Sequence, residues 1–209
     1  MHLKRQQISK TWPIQRKGTK YLVVPSHDKK SGIPLLIVLR EILKTVKNKK
    51  EAKKILNLNL VKINNKIVKN EKYPLSLFDK LEVGDKIYQI KIDKNKKFSA
   101  EEVKNLESKI VKIINKKVLK NKIIQINLSD GRNFIAKDKA NTGDSAVINL
   151  KENKIEKIIP LKEGSEVIIT KGKHFGKTGK IKKIEEKTKL ALVESDTKIN
   201  VNLKNLMAI

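Results

Sequence analysis

The sequence predicts an α+β protein built from several small modules rather than one large domain. The 209-residue chain contains one Trp, three Tyr and four Phe, so small cores of Ile, Leu and Val are expected. Apolar residues at helical spacing are concentrated in residues 31–57, whereas period-two alternation dominates from residue 60 onward. We therefore expect a helix pair with a hairpin sheet, a mostly β central domain and a small C-terminal β-barrel.

Changes in composition and periodicity divide the chain into four segments. The predicted segments are a basic arm at 1–32, a module of helices and hairpin at 33–92, a mostly β domain at 93–160 and a small barrel at 161–209.

The first segment is basic, with Asp28 as its one acid. Its prolines and glycines interrupt any long helix, so we predict an irregular arm that orders mainly on its partner. A disordered tail is the alternative. Trp12 and Tyr21 argue against it, because large aromatic groups usually pack or stack on something.

Two helices are expected next. Pro34 suits a first helical turn, and Leu35, Leu39 and Ile42 follow at helical spacing, with Arg40 and Lys44 on the opposite face. A second helix is predicted over residues 49–57, where Ala52, Ile55 and Leu56 form the apolar side and Lys50, Lys53 and Lys54 the outer side.

The remaining elements are predicted from alternation and turn residues. Asn64-Asn65 suits the turn of a hairpin, and LEVGDKIYQI predicts a further strand. Ser99-Ala-Glu-Glu102 has capping-box spacing and predicts a short helix. Strands should follow in KIVKII, NKIIQINL, NFIA, GDSAVINL and KIEKIIP, with Asp130-Gly131 as a turn, and finally in EVIIT, GKIKKIE, LALVE and KINVN.

Charge gives the strongest functional indication. The chain has 49 Lys and Arg against 22 Asp and Glu, a net charge of +27, which favours a polyanionic partner such as nucleic acid. Codon drift in an AT-rich genome would explain the preference for Lys over Arg, but not the shortage of acids. Since Arg5, Arg16, Arg40 and Arg132 are the sole arginines, we expect lysines to contact phosphates and RNA shape rather than guanine edges.

Several function classes are disfavoured. The chain has no Cys, and its three His residues are scattered, so no metal site, disulfide or cofactor is expected. Residues 1–10 lack the apolar region of a signal peptide. The longest apolar run, Ile33 to Leu39, is shorter than the ~20 residues of a membrane helix. We expect a soluble protein without a membrane anchor or a small-molecule substrate.

The stretch KGKHFGKTGKIKK, residues 171–183, resembles a nucleotide-binding loop only in part. That loop requires G-x-x-x-x-G-K-[ST] and a following helix. Here three residues separate Gly172 from Gly176, and GKIKKI alternates like a strand. A glycine-rich, acid-free loop between strands instead suits an RNA backbone, although it could also be a plain solvated hairpin. GSEVIITKGKHFGKTGKIKKI resembles the KOW motif of ribosomal proteins and transcription-elongation factors.

The order of motifs resembles the S4e family, the archaeal and eukaryotic type of small-subunit ribosomal protein four. The residues that carry this resemblance are HLKR at 2–5, Trp12-Pro13, IPLLIVLREILK at 33–44, EAKKIL at 51–56, YPLSLFD at 73–79, LSDGRN at 128–133 and the KOW stretch. The resemblance implies an RNA-binding module at 33–92 and an SH3-like barrel with the KOW motif. It also implies a non-enzymatic role in the cytoplasm, within the ribosome, bound to small-subunit ribosomal RNA and neighbouring ribosomal proteins. The implied RNA-binding residues are His2, Lys4, Arg5, Trp12, Arg16, Lys17, Arg40, Lys44, Lys53, Lys54, Lys171, Lys173, His174, Lys177 and Lys180.

Three features qualify the resemblance. Asn65 and Ser76 stand where the family usually has glycine, which puts the local turn geometry in question. The chain ends just after the predicted barrel, without the basic tail of eukaryotic members, so we expect an archaeal-type protein.

The alternatives are a KOW-type transcription-elongation protein, for which the arm and helix pair would be superfluous, and an RNA-modification accessory protein. A modification enzyme would need a larger catalytic domain than residues 93–160 provide.

Overall fold

The protein is mostly β with few helices and forms two compact units, Met1–Leu106 and Glu107–Ile209. The computed structural model describes residues 3–28, 31–119, 123–136, 140–185, 188–195 and 197–209. Among these residues, no helix has the length and apolar character needed to cross a bilayer. The division into four segments remains a prediction.

The described part of the N-terminal segment is largely irregular, and its ordering by a partner stays a prediction. Its two short strands, near residues 3 and 22, pair as an antiparallel ribbon. Between them the Arg5 guanidinium donates to the carbonyls of Thr19 at 2.8 Å and Gln15 at 2.6 Å. Trp12 is 5% exposed, so its ring packs within the fold. The strands are β1 (Leu3–Lys4) and β2 (Tyr21–Leu22), with a 3-10 turn at Arg5–Gln7.

The first predicted helix is shorter and more buried than expected. It begins as an α-turn and widens into a π-turn, with the Leu43 N–H donating to the Val38 carbonyl. It stops because Lys44 takes a left-handed φ of +54° and the Thr45 N–H bonds back to the Leu39 carbonyl. Periodicity alone could not predict this ending. The elements are β3 (Ile33–Pro34), α1 (Leu35–Ile37) and its π continuation (Val38–Ile42).

The second helix, α2 (Lys49–Asn57), has the predicted bounds. Asn48 caps it, with its side chain accepting from the Glu51 N–H at 3.0 Å. The Glu51 carboxylate in turn accepts from the Lys47 N–H at 2.7 Å. Ala52 and Leu56 are fully buried, as their helical spacing predicted.

A five-stranded antiparallel sheet completes the first unit, in the order β5-β4-β7-β8-β9. Asn64 and Asn65 form its predicted hairpin turn with φ of +49° and +65°. LEVGDKIYQI is two strands with a turn at Gly84 rather than one. The helix predicted from Ser99 is also wrong, because this segment pairs with the preceding strand. The bounds are β4 (Val61–Ile63), β5 (Lys66–Ile67), β6 (Pro74–Leu75, paired with β3), β7 (Lys80–Val83), β8 (Lys86–Ile92) and β9 (Phe98–Glu102).

The buried Asp79 carboxylate joins the hairpin turn to the segment that follows β6. Asp79 accepts from the Asn64 side chain at 2.6 Å and from the Ser76 N–H at 2.5 Å. Asn65 tolerates its positive φ better than most residues that have a side chain. Neither Asn65 nor Ser76 therefore disturbs the turn geometry.

The second unit begins with a five-stranded antiparallel sheet, in the order β12-β11-β10-β13-β14. The long strand β10 pairs with β13 along its first half and with β11 along its second. Its core contains Val111, Ile113, Ile126 and Ile148. The strands lie where alternation predicted them: β10 (Ser108–Val118), β11 (Ile124–Leu128), β12 (Asn133–Ala136), β13 (Ser145–Asn149) and β14 (Lys154–Ile159).

A second antiparallel sheet follows, in the order β18-β17-β16-β15-β19. Its core includes Val167, Ile181, Ala191 and Val193, with Ile159 and Leu161 packed against it. The last strand was not predicted, because three residues are too few for an alternation pattern. The bounds are β15 (Glu166–Ile169), β16 (Thr178–Glu185), β17 (Leu190–Glu194), β18 (Lys198–Asn202), a 3-10 turn (Leu203–Asn205) and β19 (Leu206–Ala208).

One lysine joins the two sheets of this unit. The Lys112 ammonium, on β10, donates to the carbonyls of Leu203 at 2.7 Å, Lys204 at 3.1 Å and Leu206 at 2.5 Å. It therefore satisfies carbonyls of the 3-10 turn that enters β19. Burial, and to a smaller extent the charge of Lys171, lowers the pKa of Lys112 from 10.5 to about 8.

This pKa predicts how stability depends on pH. Below pH 8 both the folded and unfolded chains are protonated at Lys112, and the full cost of burying the charge is present. Between about 8 and 10.5 the unfolded chain holds a proton that the folded protein has released, so the contribution of Lys112 to stability rises with pH.

The measurement is the free energy of unfolding of wild type and Lys112→Met, by urea titration below pH 8 and near pH 10.5. The difference between the two proteins should shift in favour of wild type as the pH rises. Subtracting the free energy of unfolding of the variant from that of wild type cancels the contribution of the other lysines. A difference that does not change with pH would show that the pKa of Lys112 is not lowered.

Candidate nucleic-acid interface

The arm contributes exposed cations, but two of its predicted contact residues have structural roles. Lys4, Arg16 and Lys17 are exposed. Arg5 instead binds backbone carbonyls, and Trp12 is buried, so neither ring face of Trp12 is open to a base in this fold. His2 lies outside the described residues.

The helix α2 presents its lysines on one side. Lys53 and Lys54 are exposed, whereas Ala52 and Leu56 on the opposite side are buried. Lys44 is also exposed. Arg40 is partly buried and pairs with Glu41 at 2.8 Å, so part of its charge is already neutralised within the protein.

The glycine-rich loop is a compact turn between β15 and β16. The Gly176 N–H donates to the Ile169 carbonyl at 2.8 Å, and the Ile169 N–H donates to the Lys177 carbonyl at 2.9 Å. Gly172 and Gly176 have φ of +99° and +83°, a region that favours glycine. Lys171 and Lys173 are exposed, and His174 and Lys177 are half-buried. The fold thus groups four predicted site residues in one loop, residues 170–177, that contains no acid.

The fifth predicted residue near this loop lies outside the turn. Lys180 is on β16 and its ammonium is 3.9 Å from the Glu166 carboxylate, with both side chains largely exposed. Such a solvent-screened pair is weak, so Lys180 can still contact an anion.

The element after the loop is a strand rather than a helix, as alternation predicted. Thr178 begins β16, so no helix N-terminus offers its amide groups to a phosphate. This geometry excludes the nucleotide-binding loop. Within the described part of the chain, no group of three His, Asp or Glu side chains could hold a metal ion.

Two residues that sequence reasoning missed position the loop. The Asn205 carbonyl accepts from the Thr170 N–H at 2.7 Å and from its hydroxyl at 2.9 Å. The Asn205 side-chain nitrogen lies 4.0 Å from where a Cβ on Gly172 would be. Lys112 of β10 donates to carbonyls of the same 3-10 turn. The turn therefore contacts both β10 and the start of the loop. No local sequence signal marks Lys112 or Asn205, because both contact residues that are distant in the sequence.

Gly179 is a further missed residue. A Cβ there would lie 2.4 Å from the Glu194 carbonyl oxygen and 2.8 Å from Cγ1 of Val193. Only glycine therefore allows β16 to approach β17 this closely. The sequence did contain a signal for this close approach of two strands, namely a glycine within a segment of strand-like alternation.

Known families match this chain. A model described as ribosomal family S4e matches residues 84–155, and a KOW motif model matches residues 163–194. The resemblance to both, identified from the sequence, is confirmed.

Individual relatives match most of the chain. It is 38% identical over 189 residues to the small ribosomal subunit protein eS4 of Methanocella arvoryzae, covering 88% of this chain and 81% of that protein. The protein of the same name from Methanocaldococcus jannaschii is 36% identical over 200 residues, covering 89% and 82%. Among solved structures, the 30S ribosomal protein S4e of Thermoplasma acidophilum matches with a TM-score of 0.76 and 27% identity, over 87% of this chain and 96% of that one.

The environment of Gly179 predicts that Gly179→Ala destabilises the protein. The added methyl group would push β16 away from β17, and such overpacking costs about 1–3 kcal/mol. Thermal and urea unfolding would measure the loss. Thr178→Ala, a truncation at an exposed neighbouring position, is the control and should unfold close to wild type. An unchanged free energy of unfolding in Gly179→Ala would show that the strands can separate at little cost.

Proposed function

The chain belongs to the ribosomal protein S4e family, and from this premise we propose that it is a non-catalytic constituent of the small ribosomal subunit that binds ribosomal RNA. The observation that carries the proposal is the similarity to proteins named small ribosomal subunit protein eS4 over 88% of the chain. The net charge of +27 supports it, because a polyanion would relieve the self-repulsion of so basic a chain.

The proposed contacts are lysines, one arginine and one histidine that the fold leaves exposed or half-buried. On the first unit they are exposed cations of the folded arm and of the helix side. On the second unit they are the residues of the glycine-rich loop, where positive φ lets the backbone approach a phosphate closely. The set is Lys4, Arg16, Lys17, Lys44, Lys53, Lys54, Lys171, Lys173, His174, Lys177 and Lys180. Arg5 and Trp12 leave the set because their side chains serve the fold, and Arg40 becomes a secondary contact.

The finer architecture is proposed on the same basis. The helices and hairpin sheet of residues 33–92 would form the RNA-binding helix-pair module, flanked by the folded arm at 1–32 and the central domain at 93–160. The five strands of residues 161–209 would form an SH3-like barrel carrying the KOW loop. The protein would work in the cytoplasm, within the ribosome, beside neighbouring small-subunit proteins.

The second candidate function is that of a KOW-type transcription-elongation or RNA-modification accessory protein. The KOW match to residues 163–194 would fit it as well. The extended similarity to ribosomal proteins and the exposed basic helix side in the first unit favour the ribosomal role.

A sucrose-gradient separation of native cell extract tests the proposal. Fractions collected in moderate salt are analysed by mass spectrometry for this chain. Co-sedimentation with the small subunit, retained after a second gradient, is the expected result. Sedimentation with polymerase or in the light fractions would remove the ribosomal assignment and favour the second candidate.

The loop contacts predict a specific change in salt dependence. Lys171→Glu, Lys173→Glu and Lys177→Glu together should weaken binding to small-subunit RNA. They should also reduce the magnitude of the slope of log affinity against log salt by about 2–3, since each lost phosphate contact lowers it by roughly 0.7–0.9. Filter binding at several salt concentrations measures both quantities.

The control applies the same charge change elsewhere on this unit. Lys151→Glu, Lys154→Glu and Lys157→Glu alter exposed residues of the β13–β14 hairpin, outside the proposed contact set. This variant should change the slope less than the loop variant does. An equal change in both variants would mean that net charge, and not the loop, determines binding.

A further inference from the structure

The outer face of the central sheet carries a cross-strand arrangement that the contacts above do not use. Asn115 on β10 is opposite Asn127 on β11, and Asn127 is opposite Asn133 on β12. The next set across the same three strands is Lys117, Gln125 and Ile135. Two rungs of three side chains thus lie side by side.

Both rungs face away from the core. Directly opposed side chains in an antiparallel sheet lie on one face, and that face alternates along each strand. Ile126 and Leu128, which alternate with Gln125 and Asn127, are buried in the core. Asn115, Lys117, Asn133 and Ile135 are exposed, and Gln125 and Asn127 are half-buried. The two rungs therefore form an accessible platform, which we call the amide face.

The amide face offers both donors and acceptors at fixed spacing. Opposed side chains lie about 5 Å apart. The Gln125 amide donates to the Asn127 Oδ1 at 3.0 Å, and the Asn115 Oδ1 accepts from the Lys116 N–H at 2.8 Å. The Asn127 and Asn115 amide nitrogens thus retain donors for a ligand. Among the described residues, the Asn133 carboxamide and the Lys117 ammonium have no partner.

Its remaining residues indicate the chemistry of a ligand. Ile135 is 65% exposed, an apolar surface in the second rung. Lys117 supplies a positive charge, and neither rung contains an acid. Carboxamides match the mixed donor and acceptor edges of nucleobases, apolar surface suits a base or ribose, and lysine suits the phosphate between them.

We propose that the amide face binds an unpaired segment of RNA, with the carboxamides on base edges, Ile135 against a base or ribose and Lys117 on the backbone. In an RNA duplex the major groove is too deep and narrow for side chains to read and the minor groove is recognised mainly by shape, whereas unpaired bases can place their edges against a protein surface. A protein strand would pair along the free edge of β12 rather than on the face. The inference rests on the proposed RNA-binding function and adds a second kind of RNA contact to it.

The register of the opposed Asn side chains, rather than the Asn content of the chain, distinguishes the amide face from other exposed surfaces. A chain rich in Asn, Lys and Ile would place these residues on many exposed positions. Asn is nevertheless depleted in strands, and here three of them are directly opposed in one rung, beside a Gln in the next.

The test uses the full chain with two probes, a mixed-sequence single-stranded RNA and an RNA duplex of the same composition. The variant is Asn115→Thr, Asn127→Thr and Asn133→Thr, which removes the carboxamides, keeps the charge and raises strand propensity. We expect its affinity for single-stranded RNA to fall about tenfold, the loss expected for one or two hydrogen bonds. Duplex affinity and the salt slope should stay at wild-type values.

Two control variants complete the design. Asn200→Thr makes the same change at an exposed strand position outside the amide face, on β18 opposite Leu192, and it should bind both probes like wild type. Ile135→Ala tests the platform independently if the triple variant does not fold. It should also weaken single-stranded binding selectively.

The outcomes separate the two proposals. If wild type binds neither probe, the proposed function fails and the amide-face proposal with it. If wild type binds RNA but the face variants lose nothing for the single strand, or lose both probes equally, the amide-face proposal alone is overturned. Loss of a co-purifying ribosomal protein with unchanged RNA affinity would overturn it in favour of a protein-docking face.

Discussion

One half-buried ammonium supports the glycine-rich loop of the second unit. From the central sheet, Lys112 donates to the carbonyls of Leu203, Lys204 and Leu206, around the turn that enters β19. That turn contains Asn205, which holds Thr170 at the start of the glycine-rich loop. A packed apolar residue could fill the same space, but it could not satisfy the carbonyls. The position of the loop therefore depends on a charge that belongs to the central sheet.

A second polar contact fixes the segment that links the two sheets. The Asp144 carboxylate accepts from the Leu161 N–H at 2.9 Å and from the Asn141 N–H at 3.0 Å. Leu161 lies between β14 and β15, and together with Ile159 it packs against the core of the last sheet. Polar ties of this kind require specific geometry, which apolar contacts alone do not impose. The contacts of Lys112 and Asn205 hold the glycine-rich loop, which is proposed to bind RNA, in a defined position.

Some of the basic residues stabilise the fold, whereas others are proposed to bind RNA. Arg5 orders the arm through backbone carbonyls, Lys80 pairs with Glu82 at 2.7 Å, and Lys109 pairs with Asp130 at 3.4 Å. These cations are used within the protein. Lys171 and Lys173 of the loop and the lysines of α2 remain exposed, and they are central to the proposed function. Counting basic residues in a sequence does not separate the two groups, because burial and partners decide the role of each.

Local patterns in the sequence determined most elements. The helical spacing of Ala52 and Leu56 predicted α2, Asn64-Asn65 predicted a hairpin, and alternation predicted the strands of the second unit except β19. The motif order indicated the family. Tertiary structure decided the rest: Ser99–Glu102 became a strand because its backbone pairs with β8 and the preceding Phe98 is buried, and Trp12 became core. The support of the loop by Lys112 and the rungs of the amide face depend on partners far apart in the chain. Local periodicity contains no information about such pairings, since strand register and burial arise only when distant segments pack together.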